Sequence, residues 1–167
     1  MNVISNKIKE KNDNLNIEFE KLSKEFNREE LNFVFYNDKK YIHKDIEESV
    51  KRKYQDKFRQ GVIKTYHTCV ISDVNKTVCQ AAHIIPYKDC FNTFKAFEIS
   101  NGLLLRNDLH TSYDNGDFKI NPDTLKIEFK SNILEDDSYA ELTKYEGQCL
   151  EDKITNLATI KLLRDVY

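Results

Sequence analysis

An apolar stretch, Ala81-Ala82-His83-Ile84-Ile85-Pro86, carries a histidine at its centre, and this constrains the chain more than any other feature. Alternation in a strand would bury that imidazole, and Pro86 cannot donate to a ladder, so pairing should stop there. Two further segments follow: Asn101-Gly102-Leu103-Leu104-Leu105, then Asp108-Leu109-His110-Thr111-Ser112-Tyr113-Asp114. In sequence order they supply a proton acceptor, an amide able to orient it, and an imidazole with a carboxylate four residues on. On a helix, that last spacing puts both side chains on one face.

The rest of the chain sets limits. Its 167 residues suit one domain, or one domain with a helical extension. A hydrophobic content of 40% is enough for a folded core. No apolar run approaches the ~20 residues that span a bilayer, and Met1 to Lys7 lacks a signal-peptide stretch. The expectation is an intracellular, cytoplasmic protein, or one in a host cell if viral, not secreted and without a membrane partner. The four cysteines, 69, 79, 90 and 149, form no Cys-x-x-Cys pair, so free thiols are expected. Net charge is −2, but its distribution is uneven. Residues 44–64 hold seven Lys or Arg against four acids, whereas 135–152 hold seven acids against one Lys. A near-neutral chain with that asymmetry can still present one basic face.

Ser5 to Phe26 has apolar residues at helical spacing (Leu15, Phe19, Leu22, Phe26), and Leu31–Phe35 with Tyr41–Ile42 reads as a short hairpin. From Lys44 to Tyr66, Ile46, Val50, Tyr54, Phe58 and Val62 recur every four residues, the pattern of a helix with one buried stripe. Thr68–Ile71 and Thr77–Ile85 flank Ser72 to Lys76 and read as a hairpin. Leu103–Leu105 extends briefly. Asn107 or Asp108 can cap a short helix that ends at Asn115-Gly116. Phe118–Ile120 and Leu125–Phe129 around Asn121-Pro122-Asp123-Thr124 make a second hairpin, and helices are expected over Ser138–Tyr145 and Ile154–Val166.

On the segments Cys69, Ala81-Ala82-His83-Ile84, Asn101-Gly102-Leu103 and Leu109-His110-Thr111-Ser112-Tyr113-Asp114, the chain resembles the HNH endonuclease family. The likeness is to the branch that reads Ala-His-Ile, Asn-Gly-Leu and Leu-His-x-x-Phe-Asp. It is strong over the middle third and extends weakly upstream through Gln60 to Tyr66. It implies an α+β fold: a ββα-metal core of hairpin plus short helix, with flanking helices and a second β-hairpin. The implied organisation is an N-terminal helical arm and short β-hairpin over 1–43 and a nuclease domain over 44–167, its core at 66–116. Ser72-Asp73 replaces the Thr-Gly of the family's hairpin, and Ala82 stands where many relatives place a further metal ligand.

Each candidate residue has an ordinary reading beside the functional one. His83 is either a core histidine bonded to a carbonyl or the general base that takes a proton from water. Asn101 is either a turn residue before glycine or the group that positions His83. His110 and Asp114 are either exposed helix residues or metal ligands, and His110 is counted with His83 and Asn101 in the catalytic set. Asp114 at a helix C-terminus opposes the macrodipole, which a cation would offset. The cofactor implied is a divalent ion, Mg²⁺ or Mn²⁺, with Ni²⁺, Co²⁺ or Zn²⁺ also compatible with a nitrogen ligand. Arg106, Lys51, Arg52, Lys57 and Arg59 are candidates for nucleic-acid binding, and Lys88 and Lys95 are further cations that could contact phosphates. The partner expected is DNA, a duplex by preference. A homodimer stays open, because an enzyme cutting both strands often needs two sites. The resemblance thus implies metal-assisted phosphodiester hydrolysis that leaves a 5′-phosphate and a 3′-hydroxyl. The competing class is a catalytically silent module that binds nucleic acid or protein. A third is a domain held by zinc on Cys69, Cys79 and a histidine.

Overall fold

The computed structural model describes residues 44–90 and 94–167. The arm expected over 1–43 lies outside the described residues. The chain divides into two compact units, residues 1–53 and 54–167. Helix α1, Lys44–Tyr66, runs across the division.

The second unit is α+β, and it begins with the amphipathic stripe of α1. Tyr54, Phe58 and Val62 are buried, while Gln55, Asp56, Lys57, Arg59 and Gln60 are exposed. Strand β1, Cys79–His83, follows, and β2, Gly102–Arg106, pairs with it antiparallel from Cys79 opposite Arg106 to His83 opposite Gly102. Leu103, Leu104 and Leu105 are fully buried, as a strand covered on both faces requires.

The first hairpin therefore differs from the sequence expectation. Thr68–Ile71 does not form a strand against Thr77–Ile85; a lone bridge joins Thr68 to Asn75. Side-chain and backbone acceptors near Cys69 claim the donors that a ladder would use. Cys69 Sγ accepts from the Ser72 amide (3.4 Å) and the Arg106 amide (3.3 Å), and the Val70 amide donates to the Leu104 carbonyl (2.9 Å). Asp73 takes a φ of 57°, which closes the turn. Asn75 then opens a 3₁₀ turn, Lys76–Val78, by accepting from the Thr77 amide.

Between the paired strands, residues 84–101 include a single helical turn, α2, at Tyr87–Cys90, and 3₁₀ turns at Phe94–Phe97 and Ile99–Asn101. Helix α3, Asn107–Asp114, runs directly out of β2. Its N-cap position is Arg106, not Asn107 or Asp108 as the sequence suggested. Asp108 sits in the first turn and accepts from the Leu109 amide at 2.8 Å. Gly116, at φ 67°, ends the helix.

The second hairpin forms as its turn residues indicate: β3, Phe118–Ile120, pairs with β4, Ile127–Phe129. Asn121 Oδ1 accepts from the Asp123 and Thr124 amides within the turn. Two single-turn helices follow, α4 at Ser131–Leu134 and α5 at Ala140–Thr143. The helix expected over 138–145 is thus shorter. Helix α6, Leu157–Val166, starts three residues later than expected because Asn156 caps it, accepting from the Ala158 amide. No helix among the described residues is long and apolar enough to cross a membrane.

One close approach fastens α1 to the sheet. A Cβ on Gly102 would lie 2.9 Å from Phe58 Cε2 and Cζ, and closer still to Val62 Cγ2. Gly102 is extended, so its glycine is needed for space, not for backbone freedom. Overpacking at such a contact costs about 1–3 kcal/mol. Gly102→Ala should lower the unfolding free energy by that amount in urea titration. An unshifted midpoint would contradict the close contact.

Candidate functional site

His83 ends β1, opposite Gly102. Its neighbours Ala82 and Ile84 are buried in the core, and alternation leaves the imidazole half-buried on the other face. The ring stacks on Phe58, with centroids 4.2 Å apart and planes 14° from parallel, and Tyr87 lies at 5.7 Å. The contact that packs Gly102 against Phe58 thus also sets the floor beneath His83.

His83 Nε2 lies 2.9 Å from the Ala96 carbonyl oxygen. A carbonyl can only accept, so Nε2 carries a proton and Nδ1 is left as the acceptor of the neutral ring. Burial lowers the His83 pKa below its ordinary 6.5, against the opposing pull of the Ala96 bond and the Asp114 charge. The net lowering describes an imidazole that is neutral at pH 7.

Asn101 is fully buried and bridges the two segments that hold this ring. Its Oδ1 accepts from the Ile85 amide at 2.8 Å, and its Nδ2 donates to the Lys95 carbonyl at 2.9 Å. Its backbone carbonyl accepts from the Ile84 amide, also at 2.9 Å. Ile84 and Ile85 follow His83 directly, and Lys95 precedes the residue that accepts from the His83 ring. The Asn-Gly pair is therefore not a hairpin turn. Thr159 of α6 steadies the same loop by donating to the Ser100 carbonyl at 3.0 Å.

His110 and Asp114 lie on one face of α3, His110 Nε2 at 3.3 Å from Asp114 Oδ2. The His110 side chain is 20% exposed and that of Asp114 58%, so the pair opens to solvent on the carboxylate side. Ligand bonds of about 2.0–2.2 Å put two donors on one ion roughly 3–3.4 Å apart, and this pair has that spacing. No group of three or more His, Cys, Asp or Glu is placed to hold a metal among the described residues. The donor set thus fits a divalent ion whose remaining positions go to water and phosphate.

These groups meet in one cleft. A cavity of about 700 Å³ is lined by His83, Tyr87, Lys88, His110, Asp114 and Lys119, among others. Of the other basic candidates, Arg106 does not line it. Its Nε and Nη2 are bonded to the two Asp108 oxygens at 2.6 and 2.7 Å, and its guanidinium lies 5.9 Å from the Tyr145 ring. Lys57 and Arg59 are exposed on α1 and do not line it either, and Lys95 is likewise not among the lining residues. Lys51 and Arg52 belong to the first unit, where Arg52 is exposed. Cys69, Cys79 and Cys90 are buried free thiols and Cys149 an exposed one. No histidine joins Cys69 and Cys79 in a three-ligand group among the described residues.

Phe58, Tyr87 and Lys119 were not singled out for the site from sequence. Phe58 was legible only as a core position, and Lys119 only as the outward residue of a short strand.

No curated protein matches the chain. Residues 69–121, the segment from the Cys69 turn through β1, β2, α3 and β3, match the family model HNH_2, described as HNH endonuclease. Nuclease chemistry, a divalent metal and a nucleic-acid substrate are the classes that go with that family. Over this segment the chain is similar to the HNH endonuclease family.

Proposed function

We propose that this protein is a metal-dependent endonuclease that hydrolyses phosphodiester bonds in DNA. The observation that carries the reading is the shared cleft: the carbonyl-tethered His83 lines the same cavity as the His110–Asp114 pair. His83 Nδ1 accepts a proton from water, and the hydroxide attacks phosphorus in line with the departing 3′-oxygen. Asn101 holds the chain on both sides of that base, so the ring keeps one orientation without taking part in proton transfer. A divalent cation on His110 and Asp114, when bound, supplies stabilisation of the negative charge that grows on the phosphate oxygens.

The two-donor set favours one alternative specifically, a module of the same shape that binds without cutting. Nicking of supercoiled plasmid in Mg²⁺ or Mn²⁺, abolished by EDTA, separates the two. A general base is worth roughly 10²–10⁴-fold in rate. His83→Ala should therefore lose nicking by at least that range while still binding DNA. Full turnover in that variant would remove His83 from the base role.

The base is active unprotonated. Because burial lowers the His83 pKa, the rate should climb with pH through a midpoint below 6.5, lower than an exposed histidine would give. A midpoint at or above 7 in kcat/KM would contradict this assignment.

Loss of an outer partner of a metal ligand already costs roughly 10–100-fold in affinity. His110→Ala should weaken Mn²⁺ binding by at least as much in calorimetry. Unchanged binding would contradict the ligand assignment.

A further inference from the structure

The cleft has a basic side that the family's motif does not include. Lys119, the central residue of β3, lines the cavity with His110 and Asp114. Its ammonium lies 4.2 Å from the centroid of the Tyr167 ring and donates to the Tyr167 carbonyl at 3.4 Å. Tyr167 is itself fixed, its hydroxyl donating to Glu128 Oε2 at 2.6 Å and accepting from Asn121 Nδ2 at 3.2 Å. Glu128 faces Lys119 in the hairpin register, but these neutral partners take up its carboxylate, and Lys119 makes no ion pair with it among the described residues. Lys119 is therefore held in place by a ring and a backbone oxygen, with the Glu128 carboxylate facing it across the hairpin.

A second ammonium stands nearby. Lys130 does not itself line the cavity, but its Nζ lies 3.8 Å from where a Cβ on Gly116 would be, and Gly116 does line it, just beyond Asp114. Lys130 also has no ion-pair partner among the described residues. The Lys130 backbone is tied by its amide to the Asp117 carbonyl at 2.9 Å, which keeps β4 and the end of α3 together. Lys88 lines the cleft too, with Asp89 beside it on the same helical turn.

We infer that Lys119 and Lys130 form a binding subsite for backbone phosphates adjoining the scissile one, placed on the metal-helix side of the cleft. This rests on the nuclease reading and gives it a substrate-binding surface. Ammonium groups bind phosphates as point charges, with no demand on base sequence. The subsite would therefore fix where the strand lies relative to His110 and Asp114 without choosing a sequence. The rigid brace on Lys119 reduces the side-chain entropy lost when it engages a phosphate.

Each phosphate contact contributes about one unit to the slope of log affinity against log salt on duplex DNA. The test is equilibrium binding of a short labelled duplex in EDTA over a series of NaCl concentrations. Lys119→Gln and Lys130→Gln should each shrink the slope by about one, the double variant by about two, and Lys119→Arg should keep it. Lys126→Gln, on the same hairpin but neither lining the cleft nor approaching Gly116, is the control and should bind like wild type. In plasmid nicking the two glutamine variants should raise KM and keep kcat. If wild type binds and nicks but the double variant keeps the full slope, the subsite is overturned and the nuclease reading stands. If Lys126→Gln loses as much as Lys119→Gln, attraction is diffuse and the subsite is overturned as well. If wild type neither binds nor nicks, both readings fall.

Discussion

The arrangement depends on a single hydrogen bond, from His83 Nε2 to the Ala96 carbonyl. It decides the tautomer, and through the tautomer which nitrogen can take a proton. A half-buried imidazole without that tether could present either nitrogen or lose its orientation altogether. The tether is itself secured by Asn101, whose amide spans from Ile85 to Lys95 and so fixes the strand end and the accepting segment together. Removing Asn101 would take a partner from two part-buried backbone groups, the Ile85 amide and the Lys95 carbonyl, a penalty of up to about 1–3 kcal/mol per group. Its contribution is therefore positional and structural at once.

Packing underwrites the same geometry. Phe58 lies under the His83 ring and against Gly102, so one aromatic side chain connects helix α1, strand β2 and the His83 imidazole. The His110–Asp114 pair needs less support. It follows from α3 running straight out of β2, with His110 and Asp114 one helical turn apart. The sheet that carries His83 and the helix that carries the His110–Asp114 pair are thus consecutive in the chain, joined at Arg106, with no loop between them to vary. A compact site is built largely from residues 79–119, and the flanking helices serve it by closing the core and bracing the Asn101 loop.

Local signals explain which parts were legible in the sequence. The α3 helix, its Gly116 stop and the β3–β4 hairpin rest on caps and turn residues that act within a few positions, and they formed much as expected. The partner of β1 was not legible. Alternation marks Cys79–His83 as a strand but carries no information about a mate separated from it by residues 84–101. The apolar Thr68–Ile71 was the nearer candidate, and Cys69's sulfur turned it into a knuckle instead. Asn101-Gly102 misled in a related way, because a turn dipeptide and a buried bridge beside a tight helix contact look the same in one dimension. Arg106 sits between two motifs, yet its fork is taken up by Asp108. Lys119, an unremarked strand residue, lines the cleft. Where a side chain ends up relative to a cavity is a tertiary fact.

The central claim is a tautomer, and nitrogen chemical shifts measure it directly. In protein carrying ¹⁵N-labelled histidine at pH 7, with His83 assigned by comparison with His83→Ala, the ring should be neutral, protonated on Nε2 and bare on Nδ1. A ring protonated on Nδ1, or an imidazolium at that pH, would contradict the account.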